Sequence, residues 1–266
     1  NPQLILIDEI HCLSPNQILL VKEIQQRTNC AIVGMTGSLN EDVEENLRKE
    51  LKLSKVYTYS IEEAIQDRII ADYEIYVHKI PLDNLKKVYE TKKGRLTEKE
   101  QYKLLTSRFE YFRRESRKKP ELDAVKMQFA SKRATMLYES ESKIKAVQKL
   151  LLKLKKEKVL IFTTRIGVAE QLASETYHGK SLSDTYYQSF KSSKDGHLAV
   201  VKLANAGVTF NGLKVGVIHQ MQSNDMTAIQ RILRMMNYDR GKIAQIHIFV
   251  YEGTVDEDWV KKALNQ

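Results

Sequence analysis

Residues 4–11 read Leu-Ile-Leu-Ile-Asp-Glu-Ile-His, an apolar run that leads directly into two adjacent carboxylates and a nearby histidine. An unbroken apolar run of this length is typical of a strand that is buried on both faces of a parallel sheet. Ligands of open α/β sheets gather just past the carboxyl ends of the strands, where Asp8 and Glu9 are expected to lie. Two acids side by side suit a magnesium–nucleotide site. A strand that ends in ordinary surface acids is the alternative that this stretch alone leaves open.

The bulk composition bounds the class of protein. A chain of 266 residues that is 42% hydrophobic can form one large domain or two ordinary ones. No apolar run approaches the roughly 18 residues that a membrane span requires, and the N-terminus lacks the charged-then-apolar order of a signal peptide. Cys12 and Cys30 form no CxxC pair and stand near no cluster of histidines. We therefore expect neither a disulfide framework nor a cysteine metal site, and a reducing cytosolic compartment.

The positive charge of the chain is concentrated in one segment. The formal net charge is +9, and residues 82–135 carry 16 Lys and Arg against 8 Asp and Glu, whereas residues 1–81 carry 8 against 13. This asymmetry indicates a polyanionic partner. Aromatic residues suited to stack on unpaired bases lie among these charges, namely Tyr89, Tyr102, Phe109, Tyr111, Phe112 and Phe129. The alternative is a helical insertion whose charges are solvated and whose aromatics pack its own core.

Strands and helices are predicted to alternate along most of the chain. Short apolar runs predict strands at 4–7, 31–35, 56–59, 72–80, 159–162, 198–201, 215–218 and 243–250. Helical periodicity and capping signals predict helices at 17–27, 40–51, 61–69, 143–156, 167–176, 183–191 and 226–236, and a last helix from Val255. Residues 82–135 are predicted to be helical. The alternation predicts an α/β fold, with a parallel sheet wound by helices on both faces.

Seven short signatures stand in a fixed order, each at a predicted strand end or helix start. They are DEIH at 8–11, TGS at 36–38, LIFTTR at 160–165, YHGKS at 177–181, NAGVTFNGLKVGVI at 205–218, QRILR at 230–234 and GTVDEDW at 253–259. Taken singly, the second and fifth are also plain turns and the sixth is also a solvated helix face. As an ordered set they resemble the superfamily 2 helicases and translocases, in particular the DNA-acting branch of phage UvsW-like proteins and Rad/Swi-Snf relatives.

The resemblance implies ATP and Mg²⁺ as cofactors, bound between two RecA-like domains. Asp8 is then expected to hold the metal, Glu9 to orient the hydrolytic water, and His11 to link the nucleotide site to the second domain. The motif that couples hydrolysis to domain movement is matched by Thr36, Gly37 and Ser38. The second domain is expected to complete the ATP site with Gly207, Gln230, Arg231 and Arg234, the last as an arginine finger on the γ-phosphate.

The resemblance also implies a nucleic-acid partner, with DNA favoured. Positions that contact the nucleic-acid backbone are matched by Thr163, Thr164 and Arg165, and Thr209 lies in a loop that reaches both DNA and nucleotide. The basic segment has no matching motif, and its candidate contacts are Arg113, Arg114, Arg117, Lys118 and Lys119. An RNA helicase of the DEAH type and a non-hydrolysing nucleic-acid-binding module with a motor-like fold are the alternatives.

The expected phosphate-binding loop does not occur in this sequence. No GxxxxGKS or GxxxxGKT pattern is present, because Ser174 stands where the sequence before Gly179 requires a first glycine. We therefore expect residues 1–71 to be the C-terminal half of a first RecA-like domain and residues 72–266 to be a second one, with a basic helical insertion at 82–135. The missing half is expected as a partner for stable folding, in cis or in another chain. The expected location is the cytoplasm of a bacterial or phage-infected cell.

Overall fold

The computed structural model of the protein describes residues 2–37, 39, 41–92, 94–181, 184–201, 210–221 and 241–264. The chain divides into two units, Asn1–Asp67 and Arg68–Gln266. No helix in the described ranges has both the length and the apolar character that crossing a bilayer requires.

The first unit begins with a strand–helix–strand arrangement. Strand β1 (Leu4–Ile7), helix α1 (Pro15–Thr28) and strand β2 (Ala31–Gly34) follow one another, and β2 pairs in parallel with β1. Ser14 caps α1, because its side chain accepts a hydrogen bond from the Gln17 amide while the Gln17 side chain accepts one from the Ser14 amide. Two further helices complete the unit, α2 (Glu41–Leu51) and α3 (Ile61–Gln66).

The strands of the first unit are covered on one face only. Residues of the strands, the turn after β1 and helices α1 and α2 share a small core built around Ile10, Ile18, Leu47 and Leu51. The alternate residues of β1 point away from it, and Leu6 is 61% exposed. The expectation that residues 4–7 are buried on both faces is therefore wrong for this chain, because helices cover a single side of the two strands.

A predicted strand at residues 56–59 is also absent from the structure. These residues form no ladder with any described strand, and Val56 is 93% exposed. Valine and tyrosine favour extended backbone, but a strand requires a partner that satisfies its backbone hydrogen bonds. The β-propensity of this stretch was therefore not a sufficient signal.

The second unit opens with a long strand and then the basic segment. Strand β3 (Asp72–Ile80) is followed by an antiparallel hairpin of β4 (Tyr89–Thr91) and β5 (Gly94–Leu96). Helices α4 (Glu98–Glu115) and α5 (Asp123–Glu139) then pack against each other. The expectation that residues 82–135 are helical is corrected by this hairpin, in which Tyr89 pairs with Leu96 and Thr91 with Gly94.

Several aromatics of the basic segment pack into a core. Tyr89, Tyr102 and Phe129 contact a buried cluster that includes Leu105 and Tyr251. The Tyr102 hydroxyl also accepts a hydrogen bond from the Val255 amide, at 2.9 Å. These aromatic side chains therefore stabilise the fold of the second unit, in agreement with the alternative that the aromatics of this segment pack into a core. Tyr111 differs from them, because it is half exposed.

Within the described part of the second unit, six parallel strands form one sheet. After helix α5 the described elements are α6 (Glu141–Lys153), β6 (Lys158–Thr163), α7 (Ile166–Leu172), β7 (Glu175–Tyr177), α8 (Thr185–Ser192), β8 (Gly196–Val201), β9 (Val215–Ile218), β10 (Ile243–Tyr251) and α9 (Val255–Leu264). The strand order is β3-β10-β9-β6-β8-β7. The predicted α/β fold with a parallel sheet is confirmed, and the short edge strand β7 is an addition to the prediction.

The centre of this sheet is buried on both faces. Leu160 and Ile161 of β6, which point to opposite faces, are fully buried, and so are Val217 and Ile218 of β9. Helices α6 and α7 contribute Val147 and other apolar residues to the core on one face. Because all six strands run in the same direction, their carboxyl ends meet at one edge, where ligands of such sheets bind.

Candidate nucleotide and nucleic-acid sites

A tight turn places the two acids at the end of β1. Glu9 adopts a left-handed conformation with φ 48° and ψ 46°, and the Asp8 carboxylate accepts a hydrogen bond from the Glu9 amide at 2.9 Å. The Ile10 amide then donates to the Met35 carbonyl at 3.0 Å, which fastens the turn to the end of β2. Gly34 makes room for the Ile10 side chain, since a Cβ atom at position 34 would lie 2.5 Å from Cδ1 of Ile10.

His11 joins the ends of both strands. Its Nδ1 atom lies 2.7 Å from the Thr36 hydroxyl and 3.3 Å from a carboxylate oxygen of Glu9, and its Nε2 atom lies 3.3 Å from Sγ of Cys12. The structure thus brings together residues of the first and second signatures. Gly37 follows Thr36 directly, and Ser38 lies outside the described residues.

The donor set at this turn fits magnesium. Asp8 is exposed at the end of β1 with Glu9 beside it. Mg²⁺ in nucleotide sites is usually bound by one or two carboxylates together with phosphate oxygens and water. Among the described residues, no group of three or more histidine, cysteine, aspartate or glutamate side chains forms a complete metal site. The turn therefore offers carboxylate oxygens of the kind that Mg²⁺ uses.

The residues after β6 form a second polar site, on the second unit. Thr163 is buried, at 4% exposure, and its hydroxyl bonds both the amide and the carbonyl of Arg165 at 3.1 Å. The Arg165 guanidinium donates to the Thr135 hydroxyl at 2.7 Å and lies 3.4 Å from the Glu139 carboxylate. Thr163 thus shapes the turn, and Arg165 is held by helix α5, a contact that the sequence did not reveal.

A hydrogen-bonded chain of side chains leads into the same turn. The Gln220 amide nitrogen donates to the Thr164 hydroxyl, and the Gln220 oxygen lies 3.0 Å from Nδ1 of His219. Burial lowers the pKa of His219 to about 3, and the nearby Lys143 charge acts in the same direction. Neither residue belongs to one of the sequence signatures, and the signal that could identify them is a polar pair placed directly after the apolar strand β9.

Under this edge lies a buried charge network. The Lys143 ammonium is 2.5 Å from the Asp256 carboxylate, and both side chains are inaccessible to solvent. The same carboxylate accepts from the Tyr251 amide at 3.0 Å, and the Tyr251 hydroxyl accepts from the Lys143 amide at 3.1 Å. Burial lowers the pKa of Lys143, and Asp256 opposes that shift. The network joins the start of α6 to the start of α9.

The basic candidates of the insertion lie together at one end of the helix pair. They occupy the last turn of α4 and the segment after it, they are exposed, and they are Arg113, Arg114, Arg117, Lys118 and Lys119. Arg113 also lies 2.6 Å from the Glu110 carboxylate. We call these five residues the basic tip. Other predicted site residues lie outside the described residues, namely Gly207, Thr209, Gln230, Arg231 and Arg234.

Comparison with known proteins gives a domain match over part of the chain and a similar fold. Residues 142–238 match the helicase conserved C-terminal domain. No curated protein matches the chain significantly. The family match and the parallel α/β architecture together support a helicase C-terminal domain in this part of the chain.

Two solved structures are similar in fold. The Hef helicase domain of Pyrococcus furiosus superposes with a TM-score of 0.55 at 11% identity, over 98% of this chain and 73% of that one. Dbp5 of S. cerevisiae, bound to RNA and ADP BeF3, superposes with a TM-score of 0.58 at 10% identity, over 99% of this chain and 56% of that one. This chain therefore spans just over half of the Dbp5 chain.

Proposed function

We propose that this chain is part of an ATP-driven helicase or translocase that acts on DNA. The observation that carries the proposal is the His11 imidazole, which contacts both Glu9 and Thr36. This geometry joins a carboxylate suited to activate water with a residue of the coupling signature. It occurs in a chain whose residues 142–238 match a helicase C-terminal domain.

In the proposed hydrolysis, each residue of the turn has a separate task. Asp8 would hold Mg²⁺, which would supply charge neutralisation at the phosphates. Glu9 orients the attacking water and accepts its proton, and His11 holds the Glu9 carboxylate in place. The second domain supplies charge stabilisation through Arg234, with Arg231, Gln230 and Gly207 completing the site, in keeping with the sequence resemblance.

A further segment is proposed to supply the phosphate-binding loop. The sequence contains no GxxxxGKS or GxxxxGKT pattern, and β1 exposes Leu4 and Leu6 on its uncovered face. Parallel strands are normally covered on both faces, so the exposed face of β1 and β2 suits an additional layer of the same domain. This layer is proposed to come from the same polypeptide or from another chain.

Nucleic acid is proposed to bind at the carboxyl edge of the second unit and at the basic tip. Thr164 and Arg165 lie just after β6, where a hydroxyl and a guanidinium suit phosphate oxygens. The exposed charges of the basic tip suit the same backbone. The preference for DNA rests on the resemblance of the ordered signatures to DNA-acting relatives.

The test uses the motor with its phosphate-binding segment supplied. Glu9→Gln should retain ATP binding but reduce DNA-stimulated hydrolysis by about 10²–10⁴-fold, because an amide cannot accept the proton of the attacking water. Asp8→Asn should instead weaken Mg-nucleotide binding. Glu23→Gln, on the exposed face of α1, is the matched control and should leave turnover unchanged.

Three results of this assay would contradict the proposal. If Glu9→Gln hydrolyses ATP at the wild-type rate, Glu9 does not act as the base that accepts the proton of the attacking water. Stimulation by RNA and not by DNA would favour the RNA helicase. Nucleic-acid binding without any ATP turnover in the completed motor would favour a binding module.

A further inference from the structure

One aromatic residue of helix α4 is exposed where its neighbours are packed. Tyr111 is 50% exposed, whereas Phe109 and Phe112, which lie next to it in α4, are half-buried. Among the described residues, Phe112 is the only aromatic side chain that contacts the Tyr111 ring. Single exposed apolar side chains are ordinary on protein surfaces, so the surroundings of Tyr111 decide what it can bind.

The Tyr111 ring rests against a stack of rings that joins two helices. Its centroid lies 5.1 Å from that of Phe112, and the two ring planes are nearly perpendicular, at 83°. Phe112 in turn stacks on Phe129 of α5, at 5.3 Å and an interplanar angle of 9°. Contacts of this kind restrict the movement of the Tyr111 ring, so less conformational entropy is lost when a ligand stacks on it.

Basic side chains flank Tyr111 along the same face of α4. Arg108 and Arg114 lie three positions before and after it, a spacing that makes side chains neighbours on a helix surface. Both arginines are exposed. In the described ranges neither of them forms an ion pair with a carboxylate, whereas Arg113 of the basic tip lies 2.6 Å from Glu110. The guanidinium groups on either side of the ring are therefore available to an anionic ligand.

An exposed ring between two guanidinium groups suits one kind of polyanion. The guanidinium groups can neutralise the phosphates of any nucleic acid, whether it is single-stranded or duplex. The ring adds a surface on which an unpaired base can stack, whereas the bases of a duplex are already stacked on one another. An acidic protein or an anionic membrane would match the charges but would offer no planar base to cover the ring.

We propose that Tyr111 stacks on an unpaired base of bound nucleic acid and thereby gives the basic tip a preference for single strands over duplex. Arg108 and Arg114 hold the phosphates next to that base. This inference rests on the proposed function, because it assigns a strand preference to one of the nucleic-acid contacts proposed there.

The test measures, by fluorescence anisotropy, how the chain of 266 residues binds three fluorescein-labelled DNA probes of equal length. The probes are an oligothymidylate, a strand of abasic sites with the same number of phosphates, and a blunt duplex. Tyr111→Leu should weaken the binding of the oligothymidylate about tenfold, because stacking on one base is lost. Its affinities for the abasic strand and the duplex should stay unchanged. Tyr111→Phe keeps the ring and should bind all three probes like the unsubstituted chain.

Two controls separate stacking from other effects of the change. Tyr186→Leu removes a tyrosine of nearly equal exposure, 51%, from helix α8, and it should leave all three affinities unchanged. The affinity of Tyr111→Leu should depend on salt with the same slope as that of the unsubstituted chain, because a ring releases no counterions. Thermal melting checks that each variant is folded. If Tyr111→Leu lowers the melting temperature, Tyr111→Gln, which also favours a helix, carries the test.

The outcomes separate this inference from the function on which it rests. If Tyr111→Leu binds the oligothymidylate as tightly as the unsubstituted chain does, or if it loses the same factor on the abasic strand, the stacking role is overturned. An equal loss in Tyr111→Phe overturns it as well. In these cases the unsubstituted chain still binds DNA, and the proposed function stands. If the unsubstituted chain binds none of the probes, the proposed function fails and this inference fails with it.

Discussion

At the scale of single residues, Gly34 determines how closely the turn after β1 approaches β2. Ile10 packs directly over it, and the neighbouring hydrogen bond from the Ile10 amide to the Met35 carbonyl fixes that approach. Glu9 and His11 flank Ile10 in sequence. The placement of both proposed functional side chains therefore depends on a position that has no side chain.

We expect Gly34→Ala to destabilise the first unit by about 1–3 kcal/mol, because the added methyl group would lie within 3 Å of two Ile10 side-chain carbons and force them to move. Urea unfolding, followed in the first unit, measures the change. Shortening the opposing side chain with Ile10→Val should recover part of the loss. Gly167→Ala is the matched control, since a Cβ atom there meets nothing within 4 Å and alanine favours the helix. Equal stability of Gly34→Ala and the unsubstituted chain would show that the turn relaxes freely.

The candidate site residues that could be predicted from sequence are those that belong to one of the signatures. Glu9, His11 and Thr36 were singled out by their signatures, and the structure brings these three together. Gln220 and Thr164 lie 56 positions apart in sequence. Their contact depends on the register of β9 beside β6, and no local pattern encodes that register.

At the scale of elements, one buried ion pair fastens helix α6 to helix α9. Lys143 and Asp256 are both inaccessible to solvent, and each also contacts Tyr251 at the end of β10. A buried charge that loses its partner costs far more free energy than an exposed one. The junction of three elements thus depends on both members of the pair.

We expect Lys143→Met to lower the free energy of unfolding by about 3–5 kcal/mol, because it leaves the Asp256 carboxylate buried without its counter-charge. Adding Asp256→Asn should recover part of this loss, since the amide oxygen can still accept from the Tyr251 amide. Lys145→Met, which breaks an exposed pair with Glu141 on the same helix, should cost less than about 1 kcal/mol. Similar losses for Lys143→Met and Lys145→Met in urea unfolding would refute this view of the buried pair.

The basic tip carries a separate prediction at the same scale. Changing Arg113, Arg114, Arg117, Lys118 and Lys119 to glutamate should weaken DNA binding and flatten its dependence on salt, because fewer counterions are released. The control reverses five other exposed lysines, on α6 and the turn after it, namely Lys145, Lys149, Lys153, Lys155 and Lys156. A salt slope that changes equally in both variants would assign the effect to net charge and not to the tip.

Elements were predictable where burial and periodicity agreed. The apolar runs of β6, β9 and β10 were predicted as strands, and they occupy the interior of the sheet. Strand β7 has three residues and no apolar run, so only its pairing with β8 defines it. Residues 56–59 show the opposite case, since they are of strand-forming types but pair with no described strand. Pairing between distant segments is the information that a single sequence does not display.

At the scale of the whole molecule, buried histidines make stability depend on pH. Burial lowers the pKa of His219 to about 3 and that of His247 to about 4, from an ordinary value of 6.5. In the unfolded chain these rings take up a proton near that ordinary value, whereas in the folded chain they do not. The unfolded state is therefore favoured increasingly as the pH falls below about 6.5.

We expect the free energy of unfolding to fall as the pH is lowered from about 6.5 to about 4.5. Glu141 and Glu257 contribute to the pH dependence only below this range, because hydrogen bonds from their lysine and backbone partners hold their pKa values at about 2. His247→Phe should reduce this slope, because it removes one titrating ring from the stack. Phe249→Leu, which loosens the same stack without removing a titrating group, should lower stability equally at each pH. If the free energy of unfolding of His247→Phe depends on pH as steeply as that of the unsubstituted chain, His247 does not contribute to this dependence.

The pairing of β3 with β10 bears on the order in which the chain can fold during synthesis. Among the described strands, β3 pairs only with β10, and their registers join Asp72 to Ile243 and Ile80 to Tyr251. A ribosome therefore exposes the first strand of this sheet long before its partner exists. Until then β3 carries unpaired backbone groups, and such edges invite association with other chains. The nascent protein thus has an interval of vulnerability that lasts until β10 has been made.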